Sequence, residues 1–323
     1  MFVRVGMATL IPLSIGLAFQ SSLDGPISIV PVAKRTGPVE LMPPASIRVD
    51  SSLVLIPAHV TTAIGASVTN LTKGDFHLFE DNVEQTITHF AQEDAPISIG
   101  LLFDTSGSMH DKMRKASEAA AAFFRTANAE DEFFLVEFGD KPRLAVPFTT
   151  DSAAVYRKIA SLKPFGRTSL LDAIHMALLQ MKSARNSRKA LVIFSDGGDN
   201  CSRQTATQIK NALVESDIQL YSMGIFDAQS KRTPVEERLG PKLLDELAAK
   251  TGGHNYPVDD LEQLTAISSR ISKELRTEYV LGYSPAGAAR DGKYHRIRVT
   301  LAAPETAGQL RAFYRQGYYS PGQ

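Results

Sequence analysis

The stretch "GLLFDTSGSMHDKM", Gly100–Met113, closes an apolar run on a carboxylate, Asp104, and then sets two hydroxyls at alternate positions, Ser106 and Ser108. The run begins upstream as "ISIGLLFD" (97–104), nearly continuous in apolar residues, the pattern of a parallel strand buried on both faces. "KALVIFSD" (189–196) has the same form and also ends on an aspartate, Asp196. After the first run, Met113, Ala116, Ala120, Phe123 or Phe124, and Ala127 fall on one face of a helix. Strands are expected at 132–139, 143–149, 218–226 and 253–258. Helices are expected at 152–162, at 170–181, around Ile209 and Leu213, at 243–249 and at 261–275. Strand and helix alternate for about 180 residues, which predicts an α/β fold: a doubly wound, mostly parallel sheet with helices on both faces.

In such a sheet, ligands bind at the carboxyl ends of the strands. Asp104 and Asp196 both end strands there. Thr168, in "FGRTSLLDAI" (165–174), lies in a loop just before a helix on the same edge. Topology therefore brings Asp104, Ser106, Ser108, Thr168 and Asp196 toward one place. All are hard oxygen donors with no imidazole or thiolate among them, which suits Mg²⁺, Mn²⁺ or Ca²⁺ rather than zinc or copper. Few anionic donors would keep such an ion electrophilic, with a position left for water or an incoming carboxylate. Taken singly, Ser108 and Thr168 also read as helix caps and Asp104 as a helix-start acid; it is the set that points to a metal. Asp199 reads as a solvated loop acid, His110 as a surface residue and His175 as a structural one.

Asp104-x-Ser106-x-Ser108, Gly166-x-Thr168 and Ser195-Asp196-Gly197 together resemble the metal-ion-dependent adhesion site of von Willebrand factor type A domains. The resemblance covers about residues 95–277. It implies a divalent cation held through Ser106, Ser108 and Thr168, with Asp104 and Asp196 bound directly or through water. It further implies a protein ligand whose exposed Asp or Glu completes the coordination. The flanks, with "LTKGDFHLFEDN" (71–82) before and "YVLGYSP" (279–285) and "DGKYHRIRV" (291–299) after, are similar to a bacterial group of exported proteins that carry this domain.

The chain begins with a single early charge, Arg4, and an apolar run, "MATLIPLSIGLAF" (7–19), ending in small residues. This reads as a signal peptide, 1–18, too short to span a bilayer, followed by a Pro/Ser/Gly-rich linker, 19–46. Export to a periplasm, the cell surface or the medium is expected. Segment 47–92 carries short alternating strands, and 278–320 carries more. Each is thin for a core of its own, so the two are expected to pack together as one small β-sandwich around the inserted α/β domain, 95–277.

Lys plus Arg equals Asp plus Glu at 35 each, and no basic stripe occurs, so nothing points to nucleic acid as a partner. The single cysteine, Cys201, cannot form an intramolecular disulfide. Position 106, where a phosphoryl-transfer hydrolase would want a second acid, is serine. The serines lack a G-x-S-x-G elbow, and no Gly-rich phosphate loop ends in lysine. The expected function is non-enzymatic, metal-dependent protein binding. The alternatives are a metal-dependent hydrolase and a structural envelope protein with a degenerate site.

Overall fold

The computed structural model describes residues 53–225, 235–258, 260–285, 291–302 and 309–320, all within one compact unit, Val49–Gln323. The expected signal peptide and linker lie outside the described residues.

Four strands come first: β1 (Val54–Thr62), β2 (Phe76–Glu80), β3 (Val83–Gln85) and β4 (His89–Glu93). The α/β segment follows as β5 (Ile97–Asp104), α1 (Met113–Phe124), β6 (Glu132–Phe138), β7 (Pro142–Thr149), α2 (Ser152–Ala160), α3 (Leu170–Met181), β8 (Arg188–Ser195), α4 (Ala206–Ser216), β9 (Gln219–Ile225), α5 (Val235–Thr251), β10 (Asn255–Val258) and α6 (Leu264–Glu274). The chain ends with β11 (Glu278–Tyr283), β12 (Tyr294–Leu301), β13 (Leu310–Tyr314) and β14 (Gly317–Tyr319).

The central sheet has the order β10-β9-β8-β5-β6-β7. Every pairing is parallel except β6 with the edge strand β7, where the register shifts twice. β5 is buried at all eight positions. Ile97, Ile99, Leu101 and Phe103 face a core shared with α1, α2 and α6, including Phe123, Val155 and Ile271. Leu102 faces the opposite core, shared with α3, α4 and α5 through Ile174, Leu213 and Leu247. Gly100 sits on that second face because any Cβ there would collide with the Phe134 ring and Leu191. Two-sided burial is why the sequence lacks alternation here.

Helix starts follow local chemistry. Asp151 Oδ1 accepts the Ala154 amide at 2.9 Å to cap α2, and Thr205 with Gln208 forms a capping box on α4. α5 starts eight residues before the expected 243, because its first turns carry no apolar stripe to announce them. The expected helix 261–275 divides into a 3-10 turn, Leu261–Gln263, and α6.

The flanks form two four-stranded sheets, β13-β1-β11-β4 and β14-β12-β2-β3. β1 runs antiparallel to β11 on one side and β13 on the other, while β2 lies between β12 and β3. Ile56, Val60, Tyr279 and Leu281 of one sheet pack on Leu78, Ile297 and Val299 of the other in a single core. The β2–β3 turn is Asp81-Asn82, with φ of 47° and 68° at the two residues, the positive-φ pair that tight hairpins favour. Beneath the central sheet, buried Glu278 pairs with Arg188 Nη2 at 2.6 Å and accepts Gln219 Nε2 at 2.5 Å, joining sandwich to α/β domain. Among the described residues no helix is long and apolar enough to cross a membrane.

Candidate metal centre

Parallel pairing of β5 and β8 sets Phe103 opposite Phe194, so both strands end at the same height. The residues beyond that pair are Asp104 and, on β8, Ser195 followed by Asp196. Asp104 is fully buried, and both of its oxygens are engaged. Oδ2 accepts the Ser195 hydroxyl at 2.5 Å, and Oδ1 accepts the Ser106 amide at 2.8 Å. The Ser195 hydroxyl in turn accepts the Gly197 amide at 3.0 Å. The Asp104–Ser106 bond is an Asx-type turn that reverses the chain immediately after the strand. A 3-10 turn, Gly107–Met109, continues it, with Met109 buried as an anchor. As a result Ser106 Oγ and Ser108 Oγ stand 3.0 Å apart.

A second loop is tied down on this turn. The Phe165 amide donates to Thr105 O at 2.6 Å, and the Gly107 amide donates to Gly166 O at 3.0 Å. Gly166 has φ +84°, and a Cβ there would lie 2.8 Å from the Asp140 carboxylate, which accepts the Arg167 amide at 2.8 Å. Thr168 follows, 4% exposed, its amide on Asn200 Oδ1 at 2.9 Å and its carbonyl accepting the Asn200 and Cys201 amides at 3.1 and 3.2 Å. The third loop, carrying Asp196, is thereby knitted to the second. The Thr168 hydroxyl has no hydrogen-bond partner among the described residues.

Asp196 is 2% exposed, and its partners are distant ones: the Gly198 amide and the Lys112 ammonium, each at 3.4 Å. It lies close enough to Asp104 for their charges to repel. Burial first, and the Asp196 charge second, push the Asp104 carboxyl up to about 7 against the pull of its Ser106 and Ser195 hydrogen bonds. Two carboxylates this close carry charge that a cation would offset, as the Lys112 ammonium does at Asp196.

The donor set fits a small divalent ion. Mg²⁺ takes oxygens at about 2.0–2.1 Å in octahedral array, so adjacent donors lie about 3.0 Å apart, the Ser106–Ser108 separation. Among the described residues no three His, Cys, Asp or Glu side chains gather as a metal cluster; here two carboxylates stand beside hydroxyls instead.

Three residues matter that the sequence reading did not single out. Ser195 holds Asp104, Asn200 holds Thr168, and Lys112 touches Asp196. Asp199 differs from the solvated acid expected: its carboxylate accepts the Leu171 amide at 2.8 Å and the Ser202 hydroxyl at 2.6 Å, anchoring the start of α3. Cys201 is half-buried, with its thiol 3.6 Å from Asp140 O.

Residues 99–198 match the family model of the von Willebrand factor type A domain. An uncharacterized protein of Borreliella burgdorferi is 26% identical over 152 residues, 42% of this chain and 45% of that protein. Inter-alpha-trypsin inhibitor heavy chain H2 of Sus scrofa is 26% identical over 171 residues, 48% of this chain and 18% of that protein. The chain thus spans less than half the length of either. Among solved structures, a von Willebrand factor type A protein from Catenulispora acidiphila is 14% identical, with 75% of this chain and 73% of that one covered at a TM-score of 0.49.

Proposed function

We propose that the von Willebrand factor type A domain of this chain holds a divalent cation, Mg²⁺ or Mn²⁺ before Ca²⁺, and uses it to capture an exposed Asp or Glu of a partner protein. Ser106, Ser108 and Thr168 supply neutral oxygens, and Asp104 and Asp196 supply the charge, directly or through water. When bound, the ion presents a positive centre with a position open to the partner's carboxylate.

The observation that carries this reading is the hydroxyl pair at 3.0 Å beside a buried, mutually repelling carboxylate pair. The protein's part is preorganisation. The Asx-type turn and the two backbone ties between loops hold the donors in place before any ligand arrives. Phe165, 79% exposed on the braced loop beside Thr168, offers an apolar contact next to the captured carboxylate.

The site is read as binding rather than catalytic, since Asp104 has both oxygens committed to Ser106 and Ser195 and is poorly placed to take a proton from a substrate. Export through the apolar leader is part of the same proposal and would bring the site to envelope or extracellular partners.

Calorimetric titration with Mg²⁺ and Mn²⁺ tests the site, and affinity capture from envelope extract with and without EDTA tests the partner. The proposal requires heat of binding in the parent and none in Asp104→Ala. It also requires a captured protein that EDTA releases and Mg²⁺ restores. A folded parent that gives no heat with either ion overturns it.

A further inference from the structure

Lys112 is the residue from which α1 starts, a position where the helix dipole disfavours a cation. Its backbone is fixed: the amide donates to Met109 O and the carbonyl accepts the Ala116 amide, both at 2.9 Å. A lysine at a loop edge ordinarily extends its ammonium into water. This one turns inward instead. Its side chain is 13% exposed, and Nζ lies 3.4 Å from Oδ2 of Asp196, itself 3% exposed in its side chain. Asp196 and Asp104 repel one another, and among the described residues Lys112 is the cation paired with Asp196. A locally unfavourable placement is thus kept by a contact inside the candidate metal centre, the pattern expected of a functional residue.

We propose that Lys112 is a built-in competitor of the divalent ion. Its ammonium offsets the Asp196 charge in the metal-free protein and leaves Asp196 when an ion enters, so that Lys112 sets the affinity of the site. This rests on the metal-binding reading above and goes beyond it by assigning a residue outside the donor set that tunes loading. An ammonium in direct contact with Asp196 and a divalent ion drawing on the same carboxylate repel each other strongly at this range. The four-carbon stem lets the charge swing to nearby solvent with no movement of the backbone. A site guarded in this way fills in step with the free ion around it instead of staying permanently loaded.

The test uses the full chain with MnCl₂ as the only ligand, compared across the parent, Lys112→Met and Lys112→Arg. Lys112→Met is expected to bind Mn²⁺ about tenfold tighter or more, since one like charge is gone, while Lys112→Arg stays near the parent. In EDTA, Lys112→Met should melt below the parent, and saturating Mn²⁺ should close or reverse that gap. A measurement on the parent alone serves if the variants fold poorly: acetic anhydride labelling of Lys112, read by mass spectrometry, should rise when Mn²⁺ is added. Equal or weaker Mn²⁺ affinity in a folded Lys112→Met, or labelling that Mn²⁺ leaves unchanged, overturns the competitor role while the metal site stands. If neither parent nor variant binds Mn²⁺, the metal-site reading fails and takes this inference with it.

Discussion

Ser195 donates its hydroxyl to Asp104 Oδ2 at 2.5 Å, across the two central strands of the sheet. The contact fixes the carboxylate whose other oxygen starts the serine-bearing turn. It is fully buried, so removing the donor leaves half of Asp104 without a partner. Ser195→Ala is expected to destabilise the metal-free fold by about 1–3 kcal/mol, the cost of an unsatisfied buried acceptor. It should also weaken Mg²⁺ or Mn²⁺ binding by about tenfold to a hundredfold, as loss of a ligand's orienting partner does elsewhere. Urea unfolding and calorimetric titration of the same samples read both effects. Stability lost with ion affinity unchanged would place Ser195 outside the metal centre.

Asp104 makes the metal-free protein sensitive to pH in a direction opposite to that of an ordinary salt-bridged acid. Its folded value, about 7, exceeds the unfolded value of 3.8, so between those limits the folded state binds the extra proton. Its contribution therefore favours folding at low pH and is lost as pH rises toward 7. His59 works the other way. Burial first, and Arg270 second, hold its imidazole at about 4 against 6.5, so its contribution is present above 6.5 and lost on acidification. The two overlap between about pH 4 and 6.5, which is why a variant, not the parent profile alone, isolates Asp104. In EDTA, the stability of Asp104→Asn relative to parent should be greater at pH 7.5 than at pH 5. A difference that does not change with pH would refute the charge pair.

Much of this was legible because the sheet's central strands are buried on both faces. Residues 97–104 and 189–196 are written almost wholly in apolar residues, and the carboxylates that end them stand out at the ligand edge by topology alone. Thr168 followed from its place before a helix. Ser195 was not legible, since a serine in a strand carries no sign of what it faces until the register with β5 is known. Lys112 was hidden for a different reason: a charged residue ahead of a helix reads as solvated, and only the tight turn at 107–109 brings it back over Asp196. The start of α5 was hidden because its first turns have no apolar periodicity to read.

Phe165, on the loop tied to the serine turn, is a large apolar side chain open to water, at 79% exposure. Its loop cannot fold it inward, because its own amide and the carbonyl of Gly166 are bound to the serine turn. Aromatic anchors at the middle of interfaces commonly contribute more than 1 kcal/mol. Phe165→Ser should therefore weaken binding of the EDTA-releasable partner by about tenfold while leaving Mn²⁺ affinity as it is. Biolayer interferometry on the captured partner, paired with calorimetry on the ion, separates the two. A matching loss of ion affinity would mean the substitution damaged the loop and not the contact.

The sandwich makes the N-terminal strands dependent on the far end of the chain. β1 has β11 on one side and β13 on the other, and β4 pairs with β11. Among the described strands of the N-terminal segment, β2 and β3 alone pair with each other. Ending the chain after Thr277 removes both neighbours of β1 and uncovers Ile56, Ala58 and Val60, each fully buried in the intact protein. The central sheet keeps all six strands, since none comes from beyond residue 258. The truncated protein is expected to retain a cooperative α/β transition on heating, to bind an apolar dye, and to lose amide-exchange protection across Val54–Thr62. Protection of those amides at the intact level would mean that β1 is held by something other than its C-terminal neighbours, and the shared sandwich would have to be abandoned.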